Sequence, residues 1–357
     1  MNELLYWIWL AQSGLNPIRQ HEMLKLFGTP KALFACGEED IILNNIDANI
    51  RHYILNKNLD TATTILETCT EKNITILTYH NENYPVLLKQ IEDAPTVLYI
   101  RGELDNMQDA FPLAMVGTRY PTVYANKMAQ KFSYELANAG MTIISGMARG
   151  IDTICHSGAL KAGKPTFAVL GCGVDVTYPA ENEEIKKIIE SNGAVISEFP
   201  PGTAPLAQNF PIRNRIISGL SLGAFVIEGS AKSGTMLTVR NALEQGRDVF
   251  TIPTNLDNPK GEGNLILLQQ GAKLVRTAAD ILEEYALNYT EQLINALTSE
   301  DKEKNPILTV LHNSIPMNTD QICRASKLSA AQANSMLTML ELSGKIVRLP
   351  GKCYILR

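Results

Sequence analysis

Nine short apolar runs alternate with helix-forming stretches between residues 74 and 285, and this alternation limits the possible folds more than any other feature. The runs are TILTY, TVLYI, LAMVG, TIISG, TFAVLG, GAVISE, GAFVIEG, DVFTIP and AKLV. Strands that are buried on both faces read as continuous apolar runs, and helices between them imply right-handed βαβ crossovers. The pattern predicts a Rossmann-like α/β domain with a doubly wound, mostly parallel sheet and helices over residues 122–139, 182–191 and 233–245.

The first 72 residues read as a separate set of short helices. Apolar residues recur there at helical spacing, with a helix stop at Gly28 and a restart at Pro30. This pattern resembles the helix-hairpin-helix and SAM-like family of small helical modules, and a plain helical bundle fits it equally well. We therefore expect a helical SAM-like domain over 1–72 and the Rossmann-like domain over 73–285.

The C-terminal part has a different organisation. Residues 286–304 are polar and charged and precede Pro306, which suits a linker. Residues 305–357 then give two helices and two strands around Pro350-Gly351, the order of a winged helix. Its second helix carries no Lys or Arg, so contact with protein or simple packing is favoured over reading a DNA duplex.

Composition excludes several classes of protein. The 357 residues carry a formal net charge of -5, so any site for a polyanion must be local. Six cysteines lie scattered without CxxC pairs or His/Cys clusters, which indicates a reducing cytoplasm and no metal site. No apolar run approaches the roughly 20 residues of a membrane span, and the apolar N-terminus reads as an amphipathic helix.

Polar residues gather where the predicted strands end, which is where open α/β sheets bind their ligands. Gly117, Thr118 and Arg119 follow the third run, and a glycine turn before a helix favours a phosphate. Arg119 adds a fork of donors that matches phosphate oxygens.

The fourth run ends in a second glycine turn. Ser145 and Gly146 follow it, and Asp152 stands where a helix cap belongs, so an ordinary cap and a functional role are both open. His156, about one turn into the predicted helix, is more typical of a packed histidine than of a ligand.

The strongest cluster surrounds the seventh run. Arg213 and Arg215 precede GAFVIEG, and the helix that follows it opens with hydroxyls and free N–H groups facing the same edge, at Ser233, Gly234 and Thr235. Arginines gathered at one edge can bind a phosphate backbone although the molecule is acidic overall. In the alternative interpretation, the two arginines pair with Glu198 or Glu228 and only hold loops in place; we expect at least one of them to be free.

No catalytic set is recognisable. HExxH and GxxxxGK[ST] strings are missing from the sequence, and the Gly171 and Gly173 pair lacks the third glycine of a dinucleotide fingerprint. Cys172 has no histidine placed to activate it. The motifs therefore identify no catalytic residues, and no cofactor is expected.

The motifs together resemble the DNA processing protein A (DprA/Smf) family. The strings that carry the resemblance are Gly117-Thr118-Arg119, SGMARGID over 145–152, GCGVD over 171–175 with Tyr178-Pro179, FPIRNRIISGLS over 210–221, Ser233-Gly234-Thr235 and Gly246-Arg247. They lie densely between about 110 and 275, and the FPIRNRIISGLS string is highly specific.

This resemblance implies a cytoplasmic, non-enzymatic homodimer that binds incoming single-stranded DNA in natural transformation, protects it and loads the RecA recombinase onto it. It also implies a DNA pocket at the ends of the strands. Its residues are Gly117, Thr118, Arg119, Ser145, Gly146, Arg213, Arg215, Ser233, Gly234 and Thr235, together with Arg149, Asn214 and Lys232. Tyr120, Tyr178 and Phe210 are the candidates for stacking on bases.

A second interpretation belongs to another class. Nucleotide-sugar hydrolases of the lysine-decarboxylase-like type share this superfold and use a PGGxGT loop. The comparable stretch here, EGSAKSGTMLTVRNALEQG, has the GT but lacks the PGG and the acidic pair after it. We therefore favour the DNA-binding interpretation.

Overall fold

The computed structural model describes residues 2–44, 46–104, 111–285, 306–311, 316–342, 346–349 and 353–356. Residues up to 282 pack as one unit and the rest form a second. The first unit opens with six helices: α1 Glu3–Ala11, α2 Pro17–Phe27, α3 Pro30–Ala35, α4 Glu38–Leu43, α5 Ala48–Leu55 and α6 Asp60–Glu71.

Local signals set the bounds of these helices. The side chain of Asn16 accepts a hydrogen bond from the N–H of Arg19 and caps the start of α2. Gly28, at a φ of 77°, ends that helix, and Pro30 opens the next one, as the sequence predicts.

The remainder of the first unit alternates strands with helices. Its strands are β1 Thr75–Thr78, β2 Val97–Gly102, β3 Phe111–Gly117, β4 Met141–Ser145, β5 Thr166–Val169, β6 Ala194–Ser197, β7 Gly223–Glu228, β8 Asp248–Thr251 and β9 Lys273–Leu274. Its helices are α7 Val86–Lys89, α8 Val123–Asn138, α9 Ile151–Lys161, α10 Glu183–Asn192, α11 Asn209–Gly219, α12 Gly234–Glu244, α13 Glu262–Gln269 and α14 Ala279–Leu282. Short 3₁₀ helices span Ala180–Asn182 and Pro259–Gly261, and a third, Glu283–Tyr285, begins the second unit.

The nine strands form one sheet in the order β1-β2-β6-β5-β4-β3-β7-β8-β9. The pairings of β1 with β2 and of β2 with β6 are antiparallel, and all the others are parallel. From β3 the chain adds β4, β5 and β6 on one side, then returns through α11 to add β7, β8 and β9 on the other. The doubly wound, mostly parallel fold is confirmed, with its topological switch point between β3 and β7.

The two faces of the sheet bury different clusters because side chains alternate along a strand. Tyr99 and Leu170 join the core of the N-terminal helices, which includes Ile8 and Leu33. Leu98, the neighbour of Tyr99 in β2, faces the opposite core. The predicted boundary near residue 72 thus lies between modules that share one core.

The second unit is a small α/β module with its own core. Its elements are α15 Pro306–Val310, β10 Met317–Asn318, α16 Thr319–Ser326, α17 Ala330–Leu342, β11 Ile346–Leu349 and β12 Cys353–Leu356. Its three strands pair antiparallel in the order β10-β12-β11, as in a winged helix. The predicted linker at 286–304 and the turn at Pro350-Gly351 lie outside the described residues. No helix within the described ranges is both long and apolar enough to cross a bilayer.

Candidate nucleic-acid interface

A cleft of about 530 Å³ opens at the switch point, beyond the carboxyl ends of β3 and β7. The loop after β3, the start of α9, helix α11 and the start of α12 form its walls. The residues predicted from sequence that line it are Gly117, Thr118, Arg119, Arg213, Asn214, Ser233, Gly234 and Thr235.

Arg213 provides a fixed cation in the wall of this cleft, and it is only 4% exposed. Its Nη1 donates to the carbonyl oxygen of Gly146 at 2.9 Å and to that of Val169. Its Nε donates to Oδ1 of Asn214 at 3.2 Å, whereas Nη2 has no partner among the described residues. Burial lowers the pKa of Arg213 to about 10, which Asp152 partly opposes, so the guanidinium stays charged at neutral pH.

Gly146 is required for this arrangement. A Cβ at that position would lie 2.5 Å from Nη2 and 2.8 Å from Nη1 of Arg213, which is closer than atoms can approach. The glycine in the fourth strand's turn therefore makes room for the guanidinium. Gly146 itself lines a smaller neighbouring pocket rather than the cleft.

Asp152 holds the turn after β4 in place through hydrogen bonds to its backbone. Its Oδ2 accepts from the N–H groups of Gly146 at 3.1 Å and Ala148 at 3.4 Å. Gly150, and not Asp152, occupies the cap position of α9. Burial raises the pKa of Asp152, while the nearby charge of Arg213 acts in the opposite direction. Asp152 thus shapes the turn whose carbonyl group holds Arg213.

Arg119 is the exposed cation at the mouth of the cleft. It forms no ion pair with any carboxylate in the part of the chain that the structure describes. Its Cζ lies 5.7 Å from the ring centroid of Phe210, and Cζ of Arg213 lies 5.9 Å from the same ring. Tyr178 packs against Phe210 at 5.4 Å between ring centroids. Two guanidinium groups and two aromatic rings therefore meet at one edge of the cleft.

Arg215 does not join this group. Both arginines lie in α11, and residues two apart on a helix point to opposite sides. Arg215 is 8% exposed; its Nη2 donates to Oε2 of Glu198, and its Nε lies 3.3 Å from Oδ2 of Asp93. The sequence left open that Arg215 pairs with Glu198, and the structure has this pairing. The prediction that Arg215 faces the DNA pocket at the strand edge is therefore wrong. Its role is to hold α11 in place.

Glu228 pairs with neither arginine. Its two carboxylate oxygens accept from the N–H and Oγ1 of Thr122, each at 2.8 Å, and from Nδ2 of Asn258 at 3.1 Å. Thr122 caps α8, so Glu228 fixes the end of the loop that carries Arg119. Sequence reasoning missed Thr122, Asn258 and the fully buried Asn264, whose Oδ1 accepts from the N–H of Gly229 at 2.9 Å.

The start of α12 supplies further donors. Ser233 stands at its cap position, and the buried Oγ of this serine has no hydrogen-bond partner among the described residues. The first N–H groups of an α-helix have no acceptor within the helix, and they carry partial positive charge. This end of α12 is therefore suited to an anion.

The remaining predicted residues do not line the cleft. Ser145 is buried, and its Oγ donates to the carbonyl oxygen of Met115 at 2.6 Å. Lys232 is exposed in the loop before α12. Arg149 is exposed and borders the smaller pocket, where it forms an ion pair with Glu181.

Burial shifts the pKa values of two side chains near the site, His156 and Cys172. His156 is fully buried, and desolvation lowers its pKa to about 3. Burial raises the pKa of the Cys172 thiol to about 11, which leaves it protonated at neutral pH. His156 is thus the packed histidine that the sequence favours. Within the described ranges, no three His, Cys, Asp or Glu side chains form a group that could hold a metal ion.

The fold and the cleft define a Rossmann-like protein with a cleft lined by arginine and helix N–H donors at the switch point of its sheet. The chain belongs to the DNA recombination-mediator protein A family, whose model matches residues 75–286. A second model, that of the DprA winged helix domain, matches residues 295–352. The family resemblance predicted from the motifs is confirmed.

Curated relatives and solved structures agree with this assignment. The chain is 39% identical to DNA processing protein DprA of Bacillus subtilis over 64% of this chain and 77% of the relative. It is 31% identical to protein Smf of Synechocystis over 99% of this chain and 98% of the relative.

Two solved structures are similar in fold. DprA from Streptococcus pneumoniae superposes with a TM-score of 0.64 and 33% identity over 77% of this chain and 95% of that one. DNA processing protein A from Helicobacter pylori, described with a unique single-stranded DNA binding mode, gives a TM-score of 0.55 and 28% identity, covering 60% and 97%.

Proposed function

We propose that this protein is a recombination mediator that binds single-stranded DNA in the cleft at the switch point. The observation that carries the proposal is the buried guanidinium of Arg213, whose Nη2 has no partner in the described part of the chain. It lies in the same cleft as the exposed Arg119 and the start of α12. Charge fixed in this way receives a phosphate group without reorganisation.

A single strand fits this site better than a duplex. Arginine and aromatic side chains that lie together bind unpaired bases by stacking while the cations hold the backbone. Phe210 and Tyr178 line the cleft, and Tyr120 at its mouth is 69% exposed. In a duplex the base faces are stacked on each other and cannot reach these rings.

Family membership supports the wider role. We propose that the protein protects incoming DNA during natural transformation, acts as a homodimer and loads RecA onto the strand. We also propose that it has no chemistry of its own, since Arg213 and Asp152 are engaged with the turn after β4. The six cysteines form no disulfides, which supports a role in the reducing cytoplasm.

The decisive experiment measures the salt dependence of oligonucleotide binding. Arg119→Ala should lower the affinity for a labelled 20-residue oligo(dT) about ten-fold at low salt. The slope of log affinity against log salt should flatten by about 0.7, the value for one phosphate on a single strand. The readout is fluorescence anisotropy between about 50 and 300 mM salt.

Arg19→Ala is the matched control, because Arg19 is an exposed arginine in α2, outside the cleft, paired with Glu22. This control should bind like the wild type. Unchanged affinity and slope in both Arg119→Ala and a folded Arg213→Ala would overturn the proposed site. Release of free base from nucleoside monophosphates would instead favour the hydrolase interpretation.

A further inference from the structure

A small pocket of about 100 Å³ lies directly beside the cleft. The two cavities have shared walls, formed by Arg119, Tyr120, Ala148, Tyr178 and Phe210. A strand that leaves the cleft past Phe210 therefore meets this pocket next.

Arg149 borders the small pocket and is a cation within reach of such a strand. Its side chain is 52% exposed, so it is accessible to a ligand. Both ends of its fork are bound to one carboxylate: Nε donates to Oε1 of Glu181, and Nη2 donates to Oε2 at 3.1 Å. Glu181 belongs to the 3₁₀ helix Ala180–Asn182, which follows the pocket residue Pro179.

This carboxylate occupies the place that a phosphate would take. A guanidinium fork binds two oxygens of a carboxylate or of a phosphate in the same way. Glu181 is 52% exposed, and ion pairs at that exposure are weak and easily exchanged. The hydrogen bond from Arg149 lowers the pKa of Glu181, so the competing group is charged at neutral pH.

Other cations around the cleft are not blocked in this way. Arg119 and Lys232 are exposed and form no ion pair with the described carboxylates. Arg213 is bound to neutral oxygens. Arg149 alone among these four has a carboxylate in its fork within the described ranges.

We propose that the small pocket is a further nucleotide subsite, with Arg149 as its phosphate ligand and Glu181 as an internal competitor that the strand must displace. The inference rests on the proposed single-strand binding. Its consequence is that Glu181 weakens binding without touching the strand. A strand long enough to pass from the cleft into the pocket binds Arg149 through a phosphate once Glu181 has released it.

The test compares Glu181→Gln with the wild type in the anisotropy assay with 20-residue oligo(dT). Glu181→Gln keeps the size of the side chain and removes its charge. Affinity should rise about two- to five-fold at low salt, and the salt slope should stay close to that of the wild type, because Arg149 binds the same phosphate in both complexes. Glu183→Gln is the charge-matched control: this residue is exposed two positions away and pairs with Lys187, so it should bind like the wild type.

The double variant Glu181→Gln/Arg149→Ala separates competition from general repulsion. Its affinity should return to that of Arg149→Ala alone, because the gain passes through the freed guanidinium. A gain that persists in the double variant, or an equal gain in Glu183→Gln, would overturn the inference. If wild type and Glu181→Gln both fail to bind the oligonucleotide, the proposed function and this inference fall together. If binding depends on Arg119 and Glu181→Gln changes nothing, only this inference falls.

Discussion

Replacing Arg215 by alanine should destabilise the protein and leave its DNA affinity intact. The guanidinium of Arg215 is buried between Glu198 and Asp93, on the side of α11 away from the cleft. Removing it leaves the carboxylate of Glu198, 13% exposed, without its cation. Since no part of Arg215 lines the cleft, binding of the folded protein should not change.

The expected cost follows from the burial of Glu198. Removing one partner of a buried ion pair costs about 3–5 kcal/mol, and the partial exposure of Asp93, at 36%, favours the lower end. At about 2–4 °C per kcal/mol for a unit of this size, a cost of about 3 kcal/mol should lower the melting temperature by roughly 6–12 °C. Burial already raises the pKa of Glu198 in the wild type, because desolvation outweighs the attraction of Arg215.

Because the pKa of Glu198 is raised, the stability that Arg215→Ala loses should depend on pH. A carboxyl group whose pKa is higher in the folded state stabilises the fold most when it is protonated, and this stabilisation is lost as pH rises through the folded pKa. Without Arg215 the pKa of Glu198 rises further. The deficit of the variant should therefore shrink as pH falls from 7.5 towards 5.

Differential scanning calorimetry at the two pH values, with anisotropy on the folded protein, measures both parts. Arg119→Ala is the counterpart, with a normal melting temperature and weakened binding. A stable Arg215→Ala that loses DNA affinity would refute the division of labour between the two faces of α11.

Two further predictions concern the turn after β4 and the helix behind it. Gly146→Ala should lower the free energy of unfolding by about 1–3 kcal/mol and weaken DNA binding, because the added Cβ displaces Arg213. Gly234→Ala is the control: a Cβ there meets nothing within 4 Å, so its free energy of unfolding should stay within about 0.5 kcal/mol of the wild type. Urea denaturation compares the two variants. Burial lowers the pKa of His156 to about 3, so between about pH 6.5 and pH 3 the unfolded chain binds a proton that the folded chain does not. Stability should therefore decrease as the pH is lowered, by about 1.4 kcal/mol from pH 7.5 to 5.5. His156→Gln should remove this share of the pH dependence, and an unchanged dependence would contradict the low pKa assigned to His156.

The strands could be predicted because their signal is local. Runs such as LAMVG and GAFVIEG are apolar on both faces, as only a strand covered by helices on both sides requires. The glycine turns after β3 and β4 were equally readable, since a strand must turn into a helix there. These features placed Arg119 and Gly146 at the edge of the sheet.

The course of α11 was not readable in the same way. FPIRNRIISGL places charged residues among apolar ones, and its mean pattern does not define one apolar face. Read as a loop before β7, the segment allows both arginines to face the edge. Read as a helix, it sends Arg213 and Arg215 to opposite sides. The polar residues that fix the loops, Thr122 and Asn264, depend on contacts across the fold that no local pattern reveals.

The burial of Arg213 suits the phosphate site that we propose in this acidic molecule. An exposed arginine must be ordered when the strand binds, which costs conformational entropy, and salt screens its charge. Arg213 has already given up that freedom, because Gly146, Val169 and Asn214 accept three of its hydrogen bonds. The nearby charge of Asp152 and the carbonyl groups that accept from Arg213 offset the desolvation of its charge in the free protein, before any ligand binds. An acidic surface can therefore repel polyanions at a distance while the cleft binds one firmly on contact.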